Sequence, residues 1–184
     1  MAESRFRLYD GADLDAVVDA MARQALALLD DTPVALVGVL RRGAPLAELL
    51  AARLRAQRPR LDLRRIDLKV KRYGDDLTLL HPQTSLEPTP EQDAADYAGH
   101  RLIVVDDVLY QGYSAFRVLE FLRGHGAQSV HLAVLVDRCC VRVPVRADIV
   151  GLRLQIAPGD VIECNVPPYE DSFAIDLLRL PAAG

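Results

Sequence analysis

Short unbroken apolar runs recur along this chain, with amphipathic stretches between them. VALVGVL (34–40), LIVV (102–105) and VHLAVLV (130–136) are apolar throughout or nearly so, and too short for a buried helix. That is the pattern of strands covered on both faces. Residues 13–29 set Leu14, Val17, Val18, Met21, Ala25 and Leu28 at helical spacing, with Asp13 as the expected N-cap. Pro45 suits a first helical turn, and Leu46, Leu49, Leu50 and Leu54 then line one helix face. Ala115, Phe116, Val118, Leu119 and Leu122 line a third helix, which Gly124 or Gly126 ends. LDLRRIDLKV (61–70) alternates as a half-buried or edge-side strand does, and DIVGLRLQI and DVIECNV predict short C-terminal strands. Strands alternating with helices require right-handed crossovers. The predicted fold is therefore α/β, a mostly parallel central sheet flanked by helices.

With 184 residues the chain reads as a single domain over 1–184. Its 51% hydrophobic and 26% charged residues are the balance of a soluble folded protein. No apolar run reaches the ~18 residues of a membrane span, and MAESRFRLYD lacks the apolar core of a signal peptide. Three cysteines, with Cys139 and Cys140 adjacent, give no disulfide framework and fit a reducing, cytoplasmic setting. The pair reads as loop or buried cysteine rather than a metal or redox motif, since no CxxC is present and the histidines are scattered. A net charge of −4 gives no global field favouring nucleic acid.

Charge is unevenly distributed. Residues 53–72 carry nine Lys or Arg against two Asp, whereas 73–100 carry six acids, no Lys or Arg, and prolines at 82, 88 and 90. A loop of that length inside one domain is uncommon without a task, so 73–100 reads as a flexible lid or binding loop. The basic run suits a solvated helix face and strand edge, a subunit contact or RNA. Only 5% aromatic residues, with no Trp, weigh against RNA. Gly124-His-Gly-Ala-Gln-Ser129 has the look of a dinucleotide fingerprint but follows a helix, the wrong context.

The chemistry concentrates in residues 102–116. A buried strand runs into Asp106 and Asp107, a turn with Gly112 follows, and a helix opens near Ser114. Open α/β sheets bind ligands at the carboxyl ends of their strands. A glycine turn entering a helix converges backbone N–H groups on an anion, with Ser114 expected to cap the helix and add a hydroxyl. Two carboxylates accept hydrogen bonds from a diol. Anion site and diol site together describe a ribose 5-phosphate.

That string resembles the phosphoribosyl-diphosphate motif of the type I phosphoribosyltransferases: apolar strand, two acids, a variable link, then Thr-Gly-x-Thr/Ser. LAVLVDRCCVRVPVRADIVG (132–151) is similar to the corresponding block of the bifunctional pyrimidine-operon regulators with uracil phosphoribosyltransferase activity. VGVLRRGAPLA (37–47) resembles their diphosphate loop, and Tyr73-Gly-Asp-Asp-Leu77 their YRDDL segment. The matches run in order over most of 34–151.

The resemblance implies a glycosyltransferase of the phosphoribosyltransferase type. It would move ribose 5-phosphate from phosphoribosyl diphosphate to a nucleobase, a pyrimidine such as uracil, yielding a nucleoside monophosphate and diphosphate. It implies a type I fold with a small hood from 151–184 and the N-terminus, and a homodimer. Asp106 and Asp107 would hold the ribose hydroxyls and, with Arg42, form the catalytic set. Gln111, Gly112, Tyr113 and Ser114 would cradle the 5-phosphate. Arg41, Arg42 and Gly43 would bind diphosphate. Arg138 would face the base, with Ile149 and Val150 packed on its ring. Mg²⁺ would be held mainly by substrate oxygens rather than by protein ligands. The 73–100 loop would exclude water from an oxocarbenium-like transition state. The chain departs from the family at three places: Gln111 stands for Thr, Tyr113 for a basic residue, and Gly74 for Arg. These departures keep open an alternative, a weakly active or inactive homologue that acts as a nucleotide-sensing regulator, with RNA binding as a further and less favoured option.

Overall fold

The apolar runs at 34–40, 102–105 and 130–136 each become a strand in the computed structural model, which describes residues 4–71, 85–86 and 88–179. In chain order the elements are β1 (Ser4–Tyr9), α1 (Gly11–Leu28), β2 (Val34–Leu40), α2 (Gly43–Gln57), β3 (Leu63–Lys71), β4 (Ser85–Leu86), α3 (Pro90–Asp93), β5 (Arg101–Leu109), α4 (Tyr113–Gly124), β6 (Ser129–Asp137), β7 (Ile149–Arg153), β8 (Val161–Asn165) and β9 (Ala174–Arg179). The main sheet has the order β4-β3-β2-β5-β6-β7. Five of its strands are parallel, and β4 adds a two-residue antiparallel edge to β3. The fold is thus the α/β sheet flanked by helices that the periodicities predict.

Alternation along the central strands builds two cores. Val34 and Leu36 of β2, with Ile103 and Val105 of β5, join Leu14, Met21, Leu46 and Leu50 of α1 and α2 on one face. Ala35, Val37 and Val39, with Leu102 and Val104, join Val118 and Leu122 of α4 on the other. Successive strand residues point to opposite faces, so a run apolar at every position needs helices on both sides.

A second, three-stranded antiparallel sheet of order β1-β9-β8 joins the two ends of the described chain. β1 and β9 were not evident in the sequence, because Arg5 and Arg7 interrupt one and Asp176 the other. The structure explains these residues. Asp176 is buried and accepts hydrogen bonds from Arg5, Arg7 and Asn165, as a buried carboxylate requires.

Two predicted caps are corrected. The N-cap of α1 is Asp10, which accepts from the Ala12 and Asp13 N–H groups, while Asp13 closes the box from the third helical position. At α4 the N-cap position is held by Gly112, in the left-handed region and with no side-chain cap hydrogen bond, and Ser114 lies inside the first turn without capping it. The stretch predicted as one loop over 73–100 is structured in its described part. β4 pairs with β3, α3 carries a Thr89–Gln92 capping box, and Tyr97 is in the core. Tyr73, Gly74, Asp75, Asp76 and Leu77 lie outside the described residues.

Much of the basic run is engaged within the fold. Arg53 pairs with Asp15 and Asp19, Arg58 with Asp31, and Arg65 with Glu48 and Asp67. Arg64 lies over the Tyr97 ring. No helix among the described residues is long and apolar enough to cross a membrane.

Candidate functional site

The strand order places the site. β2 connects through α2 to β3 on one side, and β5 connects through α4 to β6 on the other. The two connections leave in opposite directions, so the carboxyl ends of β2 and β5 form a topological switch point, where open α/β sheets bind ligands. The ladder between them ends at Gly38–Val105. β2 continues against β3 to Leu40–Lys69, and β5 continues against β6 to Leu109–Asp137. The strands part where the two acids begin.

Asp106 and Asp107 are only 6% and 9% exposed. Each uses one oxygen to accept a backbone hydrogen bond of 2.9 Å, Asp106 from the Asp107 N–H and Asp107 from the Val108 N–H. Asp107 turns toward α2, its Oδ2 4.0 Å from Arg42 Nη1. Period-two alternation sends Asp106 toward the α4 face. The two carboxylates therefore flank the strand end, one toward each helix that starts there.

Those two helices start differently from the others. α1 and α3 have complete capping boxes, whereas α2 and α4 have no side-chain cap hydrogen bond. An uncapped N-terminus directs unsatisfied N–H groups and the positive end of the dipole outward. At α2, Gly43 lies so close to β5 that a Cβ would come within 2.3 Å of the Val105 carbonyl oxygen. At α4, Gly112 has φ +88 and a Cβ there would meet Val143 at 2.8 Å. Only glycine holds that turn without strain. The Arg142 N–H donates to the Gln111 carbonyl, which ties the 138–143 segment to the same turn. Tyr113 is exposed.

Two site residues escaped the sequence reading. Glu170 Oε1 accepts from Arg42 Nε at 3.1 Å and from Arg42 Nη2 at 2.6 Å. Its other oxygen accepts from the Val166 N–H at 2.8 Å. The neighbouring Tyr169 presents its ring to the Arg41 guanidinium at 5.1 Å. Hydrogen bonding to Glu170 holds the Arg42 guanidinium above its ordinary pKa, and the same bond, outweighing partial burial, holds the Glu170 carboxyl below its own. Nothing local signals a pairing across 128 positions. A sequence hint is PPYE (167–170), a proline-stiffened turn presenting an aromatic and an acid. Cys164 is buried behind the acids; burial, then the Asp107 carboxylate, pushes its thiol well up.

Arg138 follows β6 and is 8% exposed. Its backbone N–H donates to the Leu109 carbonyl, its guanidinium lies 5.4 Å from the Tyr110 ring centre, and its buried Nε has no partner in the described protein. Ile149 and Val150 do not fit the predicted role of packing on one ring. Ile149 is fully buried in the α1–α2 core, and Val150 belongs to the opposite cluster. They pair with Ala133 and Val134, inside the sheet rather than at its end. Successive strand residues cannot face one ligand.

The sequence profile of the phosphoribosyl transferase domain matches residues 6–172. The chain is 32% identical over 171 residues to "Bifunctional protein PyrR" of Elusimicrobium minutum, covering 92% of this chain and 94% of that protein. It is 36% identical over 145 residues to the protein of the same name from Deinococcus radiodurans, covering 78% of each. Among solved structures, the hypoxanthine phosphoribosyl transferase of Trypanosoma cruzi superimposes with a TM-score of 0.74 at 20% identity, covering 95% of this chain and 91% of that one. The hypoxanthine phosphoribosyltransferase of Staphylococcus aureus gives 0.69 at 16% identity, covering 85% and 80%.

Proposed function

This chain belongs to the phosphoribosyl transferase domain family, and from that premise we propose that it moves ribose 5-phosphate from phosphoribosyl diphosphate to a pyrimidine base such as uracil, releasing diphosphate. The observation that carries the reading is the convergence of two uncapped helix N-termini on either side of one acid pair at the switch point. The preference for a pyrimidine rests on the resemblance of residues 132–151 described above.

In this reading the α4 turn, from Gln111 to Ser114, receives the 5-phosphate through backbone N–H groups. Asp106 and Asp107 accept hydrogen bonds from the ribose hydroxyls and fix the sugar between the two anion sites. Arg42, with Arg41 and the N–H groups at Gly43, receives the diphosphate. As the bond from the anomeric carbon to diphosphate lengthens, negative charge grows on the leaving oxygens, and these preorganised donors stabilise it more than the ground state. Arg138 offers donors to a base carbonyl from a dry position beside Tyr110. The acid pair consists of hard oxygen donors at the crevice, a chemistry that fits Mg²⁺ carried in by the substrate; Asp106 and Asp107 would face the ion. When bound, the ion would neutralise part of the diphosphate charge.

The test is diphosphate release from phosphoribosyl diphosphate and Mg²⁺, with a panel of pyrimidines and purines. Turnover with uracil supports the reading, and no turnover with any base removes it. A second reading, a nucleotide-binding regulator, draws on Gln111 and Tyr113, which replace a hydroxyl donor and a basic residue in the phosphate turn. Nucleotides that raise the melting temperature without any turnover would favour that reading.

A further inference from the structure

Both arginines of the α2 anion loop are held by consecutive residues of the C-terminal segment: Arg41 by the Tyr169 ring and Arg42 by the Glu170 carboxylate. Glu170 takes the Nε–Nη2 side of the Arg42 guanidinium, an edge that can grip a phosphate in a two-point fork. The Nη1 side faces Asp107. An incoming anion therefore meets an arginine whose charge is already answered by carboxylates. Glu170 is itself anchored, because its second oxygen accepts from the Val166 N–H. It stays in place at little further entropic cost.

We propose that Glu170 is a specificity-determining residue, an internal carboxylate that occupies Arg42 and yields it only to an anion of higher charge. The proposal rests on the reading of Arg42 as a diphosphate ligand and adds a reason for selectivity at that ligand. A singly bridging inorganic phosphate gains little by exchanging one anion for another on the same guanidinium. A diphosphate carries more charge and reaches the α2 N–H groups at the same time, so it displaces the carboxylate. Release of Glu170 also loosens the hold of residues 166–170 on the loop. Binding of diphosphate is thereby coupled to the segment that lines the apolar cavity beside α2, at Pro167, Pro168, Tyr169 and Phe173.

The test is titration calorimetry of the full chain with inorganic diphosphate and with inorganic phosphate. Glu170→Gln is expected to bind diphosphate about fivefold more tightly, the scale of a partly exposed ion pair. It should also admit inorganic phosphate, so the discrimination between the two anions falls. Glu170→Ala, which leaves no amide at the Val166 N–H, must move in the same direction. A gain of affinity is not what a merely structural contact yields when lost. In an Arg42→Ala background the gain must vanish, since Glu170 acts through Arg42. If Arg42→Ala weakens diphosphate while both Glu170 variants leave it unchanged or weaker, the proposal falls and the diphosphate reading survives. A gain that persists without Arg42 marks general charge repulsion and also overturns it. If Arg42→Ala itself leaves diphosphate binding intact, the diphosphate reading falls too.

Discussion

Gly43 and Val105 touch backbone to backbone: a Cβ on Gly43 would come within 2.3 Å of the Val105 carbonyl oxygen and 3.2 Å of the Asp106 Cα. This contact sets the spacing of the site. It seats the first turn of α2 directly on the strand that carries the acids, and so fixes how far the Arg42 loop stands from Asp107. In the proposed reaction a diphosphate leaving group and the ribose it leaves would span that distance, which a side chain at 43 would enlarge.

Gly43→Ala therefore tests geometry rather than charge. The neighbour is backbone and has little freedom to give way, so we expect a loss of ~1–3 kcal/mol in urea denaturation, the range of overpacked sites. Diphosphate affinity should fall with it, as α2 lifts from β5. An unchanged denaturation midpoint would mean that the contact relaxes without cost.

Asp107→Asn should leave the fold intact, because an amide oxygen can still accept from the Val108 N–H. Ribose 5-phosphate binding should drop about tenfold or more, since the charge-assisted bonds to the sugar are worth ~1.5–3 kcal/mol. Calorimetry with ribose 5-phosphate reads this directly. Equal affinity in the variant would take the diol assignment away.

Arg138 combines a buried guanidinium with a partnerless Nε. On the proposed base-binding role Arg138 would contribute little to folding, and replacing a buried charge by an apolar side chain of similar volume is often neutral or stabilising. Arg138→Met is expected to melt at or above the wild-type temperature while losing transfer to every base. A large drop in melting temperature would instead make Arg138 a structural residue.

Asp176 predicts an acid limb in stability. Burial raises its pKa, but hydrogen bonds and charge from Arg7, with help from Arg5 and Asn165, outweigh burial and leave it below the ordinary value. A carboxyl whose folded pKa is depressed stabilises the fold fully above its unfolded value of about 4, and that contribution is lost as pH falls through the folded pKa. Denaturant midpoints should therefore fall below about pH 4, with the β1-β9-β8 sheet loosening first by hydrogen exchange. Asp176→Asn should be less stable at neutral pH and show a flatter acid limb.

The primary sequence by itself determined the parts of this protein whose causes are local. Period-two and helical spacings carry the layer order, because each apolar residue must find cover. The acid pair and the glycine turn of the candidate site were legible because Asp106, Asp107 and Gly112 lie on one continuous strand–turn–helix, and their relative placement follows from covalent connection. Tertiary structure alone decided the rest. Glu170 meets Arg42, and Tyr169 meets Arg41, across more than 120 positions, a distance over which neither propensity nor periodicity carries information. Ile149 was misread as a ligand contact because residue type does not say how deep in a ladder a strand residue sits. β1 and β9 were hidden because the charges that break their apolar pattern find partners only once the two ends of the described chain lie side by side.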